Sequence, residues 1–199
     1  MKLIESETYH NLARAFAGEC QAHIRYMFIE YGAKKAGHKS LAAIIDKISY
    51  NEFNHARMFY TFLSQASDKT IDNVDIMAGY PFREKWDVLE NLKLAAEDEK
   101  EEAEVVYPAF RDKAKEEGFL EIAKLFDDII KVEKGHKETF LELYEQMKNG
   151  TLYKKEKPVV WRCADCGYES SSKEAWDECP VCKAPKGAVV LHLKSIKQN

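Results

Sequence analysis

The chain has 199 residues, 45% of them hydrophobic and 32% charged, with a net charge of −4. That length holds one substantial domain and a small second one, and the mild negative balance gives no electrostatic case for nucleic acid or an anionic membrane. The start, Met1-Lys2-Leu3-Ile4-Glu5, has no apolar signal-like core and the apolar runs are short, so a cytoplasmic protein without a membrane span is expected.

In chain order the pattern predicts four long helices and a small tail. The first runs from about Glu5 to Lys35, stopped by Gly37, with Leu12, Phe16, Glu19, His23, Tyr26 and Ala33 on one face. Ser40 is placed as N-cap of a second helix reaching about Gln65, whose stripe is Leu41, Ile45, Ile48, Glu52, His55, Phe59 and Phe62. From Ala66 to Phe82 the helical period is lost, and Asp68, Asp72, Asn73, Gly79 and Pro81 mark a long connection. Extended, it would reach about 50 Å, enough to run the length of a bundle. A third helix, about Arg83 to Glu117, aligns Leu89, Leu92, Ala95, Glu99, Glu102, Val106 and Phe110. After Gly118 a fourth, about Phe119 to Lys148, aligns Ile122, Phe126, Ile129, Glu133, His136, Phe140 and Leu143.

These stripes carry acids into a core, where an unpartnered carboxylate costs several kcal/mol. They also repeat: Glu19 and Glu99 lie 80 residues apart, while Glu52/Glu133 and His55/His136 lie 81 apart. A Glu from each of two helices plus Glu-x-x-His from each of the other two is the four-helix set that binds two irons or two manganese ions. Glu97 and Glu101 are expected to be solvated, Cys20 to be a small buried residue, and His23, His10, His38 and His192 to stand outside any constellation.

After Gly150 the composition changes. Residues 151–158, with Lys154-Lys155-Glu156-Lys157 and Pro158, form a polar linker, and residues 159–199 a small β-rich module with Trp161 and Trp176 in its core. So few residues need a metal staple. Cys163-x-x-Cys166 and Cys179-x-x-Cys182 supply it: four thiolates at this spacing hold one tetrahedral zinc or iron.

The flanks Cys166-Gly167-Tyr168 and Cys179-Pro180-Val181-Cys182-Lys183-Ala184-Pro185 resemble rubredoxin. With Gly18-Glu19, Glu52-Phe53-Asn54-His55, Glu99-Lys100-Glu101-Glu102, Tyr107-Pro108 and Glu133-Lys134-Gly135-His136, nearly the whole chain resembles the rubrerythrins. That resemblance implies a mainly α fold: a ferritin-like four-helix bundle with a long crossover over residues 1–150, then a rubredoxin-like domain over 159–199. It implies a di-iron centre, oxo- or hydroxo-bridged when oxidised, with Glu52 and Glu133 bridging, Glu19 on one iron, and Glu99 and His136 on the other. It also implies a single iron on Cys163, Cys166, Cys179 and Cys182. His55 and Glu102 are implied to exchange at one iron with redox state. In charge terms, four Glu match two ferrous ions, a fifth carboxylate suits the oxidised pair, and neutral His55 suits the reduced one. Tyr26 and Tyr107 sit on inward faces within two turns of ligands, placed to hydrogen-bond ligands or peroxide. One departure is Asp98, where the family usually carries a small residue; it adds negative charge beside the site.

The implied activity is reduction of hydrogen peroxide to water in oxidative-stress protection. Electrons would come from NAD(P)H through a separate reductase or rubredoxin, in a homodimer or larger homo-oligomer. Two other readings use the same residues: a ferroxidase or oxygen-reducing oxidase, and a structural helical protein bearing a zinc ribbon.

Overall fold

The structure, a computed structural model, describes residues 1–67 and 87–196. Most of the expected connection from Ala66 to Phe82, and the expected helical start at Arg83, lie outside the described residues. Helix α1 spans Glu7–Lys35, α2 Lys39–Gln65, α3 Val88–Glu101, α4 Tyr107–Glu116 and α5 Leu120–Lys148; a π-turn, Glu102–Val106, joins α3 to α4. No helix among the described residues is long and apolar enough to cross a membrane.

Caps explain most boundaries. Ser6 Oγ accepts from the Tyr9 amide at 3.1 Å, and Asp87 Oδ1 from Glu90 at 3.0 Å, so α1 and α3 begin on side-chain caps. Glu117 adds a carboxylate at the positive end of α1, accepting from the amides of Glu7 (3.1 Å) and Thr8 (2.8 Å). Ser40 is not the cap of α2, which starts at Lys39 with His38 at the cap position. The chain re-enters helix at once because Gly37, at φ +83°, closes the preceding turn, with the His38 amide bonded to Ala33 O at 2.9 Å. Gly118, at φ +85°, closes α4 the same way, the Phe119 amide reaching Ala114 O at 2.8 Å.

The third helix is not continuous as the periodicity predicts. Pro108 lacks the N–H of a regular ladder, and the widened π-turn just before it absorbs one extra residue. The repeat shows the same residue: the offset is 80 at Glu19/Glu99 but 81 at Tyr26/Tyr107 and at Gly37/Gly118.

Contacts set the directions. Thr8 meets Glu117, Glu19 meets Tyr107 and Tyr26 meets Glu99, so α1 runs against α3 and α4. His23 meets Ser49, so α1 also runs against α2. Helices α2 and α3 are therefore parallel, with Gln65 and Val88 at opposite ends of the bundle, as a ferritin-like crossover requires. Asn51 meets His136 and His55 meets Glu133, which sets α5 against α2. The apolar core forms two clusters. One holds Tyr26, Ile29, Leu41, Ile45, Leu92, Phe140 and Leu143; the other Leu12, Phe59, Phe126 and Ile129. The inward acids form a polar layer between them. Burial of each such Leu, Ile or Phe contributes about 1.5–3 kcal/mol, which offsets that layer.

The tail pairs β1, Lys154–Arg162, with β2, Glu169–Glu174, antiparallel, with a register shift between Lys154 and Val159. Strand β1 thus takes in much of the segment predicted as linker, and Leu152 joins the bundle core with Leu191 and Leu193. The module is docked, not tethered. Glu142 of α5 accepts from the Lys194 and Ser195 amides at 2.8 and 2.9 Å, Lys39 pairs with Asp165 at 2.5 Å, and His38 stacks on Tyr153. A Cβ on Gly187 would lie 1.6 Å from Gly37 O, so only glycine fits that approach.

Candidate metal centres

Glu19, Glu52, Glu99 and Glu133, one each from α1, α2, α3 and α5, are at most 1% exposed. Their ligand atoms fall into two groups, each within 4.8 Å: Glu19, Glu52, His55 and Glu133, and Glu52, Glu99, Glu133 and His136. Glu52 and Glu133 belong to both. His55 Nδ1 lies 3.0 Å from Glu52 Oε2 and 2.9 Å from Glu133 Oε1; His136 Nδ1 lies 3.0 Å from Glu52 Oε1 and 2.8 Å from Glu133 Oε2.

Electrostatics call for cations here. Burial pushes the Glu19 carboxyl up to about 8, and burial with neighbouring Glu52 and Glu133 pushes Glu99 well above its ordinary value. Burial also opposes a charged His55, but hydrogen bonds to Glu133, Glu19 and Glu52 outweigh it and raise that imidazole to about 12. Among the described residues, buried Glu19 Oε2, Glu52 Oε1, Glu99 Oε2 and both Glu133 oxygens face no hydrogen-bond donor other than the two imidazoles, as metal-facing atoms do. Two divalent ions match four carboxylates in charge, and the donor set fits iron.

Tyr26 Oη donates to Glu99 Oε1 at 2.7 Å, and Tyr107 Oη to Glu19 Oε1 at 2.6 Å. Each tyrosine thus steadies a ligand from the opposite hairpin, and the pair obeys the repeat. Glu102 stands outside both groups. It is half-buried and lines a cleft of about 350 Å³ together with Arg14, Ala15, Gly18 and Tyr107, with Oε1 3.8 Å from where a Gly18 Cβ would be. Burial, then Glu19 and Glu99, hold its carboxyl well above the usual range.

Asp98 does not add bare negative charge: Arg25 pairs with it. Cys20 is exposed, not buried, because the residue after Glu19 is turned about 100° away from the core face. His23 is structural, with Nδ1 2.7 Å from Ser49 O, and His192 Nε2 lies 3.0 Å from Val160 O. Sequence reasoning missed Asn51, whose amide lies 3.1 Å from His136 Nε2.

In the tail, Cys163, Cys166, Cys179 and Cys182 converge, with Sγ–Sγ distances of 3.6 Å (163 to 182) and 3.7 Å (166 to 179). A tetrahedral ion with metal–sulfur bonds near 2.3 Å sets its sulfurs about 3.8 Å apart, so one ion fits. The two knuckles match each other. The Gly167 and Lys183 amides bond Cys163 O and Cys179 O, each at 3.0 Å, and both residues take positive φ, +75° and +64°. That turn aims the Tyr168 and Ala184 amides at the Cys166 and Cys182 sulfurs. Burial raises the Cys179 thiol, but the amides of Cys182 and Val181 outweigh it and bring it down to about 7. Trp161 is fully buried and Trp176 packs beside both small cores of the module.

A family model described as rubrerythrin matches residues 10–144, and one described as rubrerythrin, rubredoxin-like domain, matches residues 161–188. The chain is similar to a rubrerythrin of Clostridium perfringens, 40% identical over 91% of this chain and 92% of the relative. It is also similar to one of Porphyromonas gingivalis, 38% identical over 91% and 88%. Among solved structures, partially reduced nigerythrin superposes with a TM-score of 0.61 at 26% identity, covering 93% of this chain and 86% of that one. A bacterioferritin of Desulfovibrio desulfuricans shares the fold, with a TM-score of 0.61 at 24% identity over 73% and 82%. The carboxylate–histidine cluster is a di-iron site and the four cysteines a rubredoxin-like iron site. The chain is a member of the rubrerythrin family.

Proposed function

We propose that the chain is a peroxidase that reduces hydrogen peroxide to water, protecting against oxidative stress, with electrons entering through the tetrathiolate iron. The observation that carries this reading is Glu102: a further carboxyl close to a buried di-iron site, lining a cleft of about 350 Å³. Peroxide takes up two electrons and two protons and yields two waters. A ferrous pair, when bound, would supply both electrons together, which would let the O–O bond break without a one-electron step. Glu52 and Glu133 would hold both ions, Glu19 and His55 one, and Glu99 and His136 the other. Tyr26 and Tyr107 keep Glu99 and Glu19 oriented, and Glu102 would pass protons from the cleft and stand in for His55 as the charge of a bound pair rises.

Electron supply argues for more than one copy. Along α2, Lys39 beside the tail module and the ligand Glu52 are 13 residues apart, about 20 Å of helix. A head-to-tail homodimer or larger homo-oligomer would shorten that path. The donor is a reductase drawing on NAD(P)H, or a rubredoxin.

The test is anaerobic reduction followed by one equivalent of peroxide, watching the visible ferric-thiolate band return. Peroxide should reoxidise the protein far faster than air, and Glu102→Gln should slow that step and raise the di-iron potential. Faster consumption of oxygen or free ferrous iron would favour the oxidase reading instead. A colourless, zinc-loaded protein would favour a structural one.

A further inference from the structure

The two imidazoles of the cluster are not held alike. Both turn Nδ1 toward the carboxylates, and their rings lie 6.0 Å apart at 28°. At His136 the other nitrogen, Nε2, lies 3.1 Å from the half-buried Asn51 amide on α2. At His55 no hydrogen bond is formed by Nε2 among the described residues; its partners, Glu19, Glu52 and Glu133, all lie on the Nδ1 side. The 81-residue repeat that relates the two Glu-x-x-His pairs relates Asn51 to Val132 on α5. An isopropyl group cannot hold an imidazole N–H.

We infer that Asn51 fixes His136 as the permanent imidazole of the site, and that Val132 at the matching place leaves His55 the exchangeable one. With a metal on Nδ1, His136 Nε2 carries the proton, and a half-turn of the Asn51 amide presents Oδ1 to it. A ligating imidazole held at its far nitrogen keeps its ring plane and tautomer and is the more basic ligand; one without that outer partner is the more easily given up. The replacement carboxylate stands on the matching side: the Glu102 carboxyl is next to Gly18, beside Glu19, which shares its group with His55. This inference rests on the reading of His55 and Glu102 as alternating ligands and names the residues that decide which imidazole is exchanged. Asn51 and Val132 are positioning residues.

The experiment uses iron-loaded full-length protein and two readouts that need no turnover. One is the rate of ferrous-iron release from reduced protein to a chelator. The other is the set of hyperfine-shifted, exchangeable imidazole N–H resonances in the proton spectrum. The parent should show one slowly exchanging N–H. Asn51→Ala should remove it and release iron about 10–100-fold faster, as loss of an outer partner does, while Asn51→Asp, which keeps an acceptor, should restore it. Val132→Asn, at a position 38% exposed where folding is not at risk, should add a second slow N–H and keep His55 bound after oxidation. Two slow N–H signals in the parent, or an Asn51→Ala protein that keeps its signal and its iron, would overturn the assignment. If these shifts appear in a protein that reduces no peroxide, the peroxidase reading falls and this one stands.

Discussion

The two metal centres are built by opposite means. The di-iron cluster gathers its ligands from residues 19 to 136, each on the inward face of a different long helix or paired one turn apart, so no short segment contains it. The tetrathiolate centre lies between residues 163 and 182, and its geometry comes from turns and backbone amides. The bundle has two large apolar clusters of its own and tolerates its acidic layer. Among the described residues, the module buries Cys163, Cys179, Ala184 and Ala188 in one small core and Trp161, Ala175 and Val189 in another, with Trp176 packed against both, so the metal is part of its interior. A site on rods is as stable as the scaffold around it; a site on turns is itself the scaffold.

That contrast can be broken by single substitutions. The largest effect is expected from Cys179→Ser, which should empty and unfold the module while the bundle keeps two irons. Its counterpart Glu52→Ala should empty the bundle, leave it helical and leave the tail iron in place. Metal analysis with circular dichroism reads both; either variant losing all three ions would show that the centres are not independent.

Next in size is Gly187→Ala, whose methyl would collide with Gly37 O. Overpacking of this kind costs about 1–3 kcal/mol. The module should leave its seat on the α1–α2 turn yet keep its ferric-thiolate colour, and proteolysis near residue 150 should accelerate. Loss of colour together with docking would mean that the seat also shapes the sulfur site.

A smaller effect follows from pH. Burial alone would raise the Glu142 carboxyl, but the amides of Lys194 and Ser195 hold it below its ordinary 4.5. A depressed acid stabilises the folded state above its unfolded pKa and loses that contribution as pH falls through the folded value. Acidification below the ordinary carboxylate range should therefore free the 194–196 segment before the helices melt, seen as faster amide exchange at Lys194 and Ser195. Smallest is Lys183→Gly. A side chain at φ +64° costs about 1–2 kcal/mol in the left-handed region, so glycine there should raise the melting point of the module by a few degrees. No change would place that strain elsewhere.

Much of this was legible in the sequence because helical spacing and chemistry agree. Glu19, Glu52, His55, Glu99, Glu133 and His136 sit on apolar stripes, and two Cys-x-x-Cys pairs have little other use. What was not legible depends on partners from distant helices. Asn51 falls just off the stripe of α2 and looks like a solvated amide until α5 brings His136 to it. Arg25 and Asp98 are 73 positions apart and look like unrelated surface charges. Gly187 is one glycine in a loop until the module lands on Gly37. The π-turn did leave a trace, the step in the repeat from 80 to 81, but that step becomes meaningful only once Tyr26 and Tyr107 are seen doing the same thing.

That extra residue can also be counted in degrees. From Glu19 to Tyr26 is seven residues, about 700° of α-helix, which returns the tyrosine to within about 20° of its ligand. From Glu99 to Tyr107 is eight, which in an unbroken helix would point Tyr107 some 80° aside. The π-turn takes up the surplus, so both hydroxyls reach across to the opposite hairpin. The first hairpin alone specifies two carboxylates, one imidazole and one tyrosine, and two such hairpins about a two-fold axis would complete the set of four, two and two. The second half writes that instruction again with one residue inserted, and Glu102, at the insertion, has no acidic counterpart at Gln21 or Ala22 in the first half. Symmetry accounts for the two matched groups of ligands; Glu102 is the carboxyl that the second half adds to them.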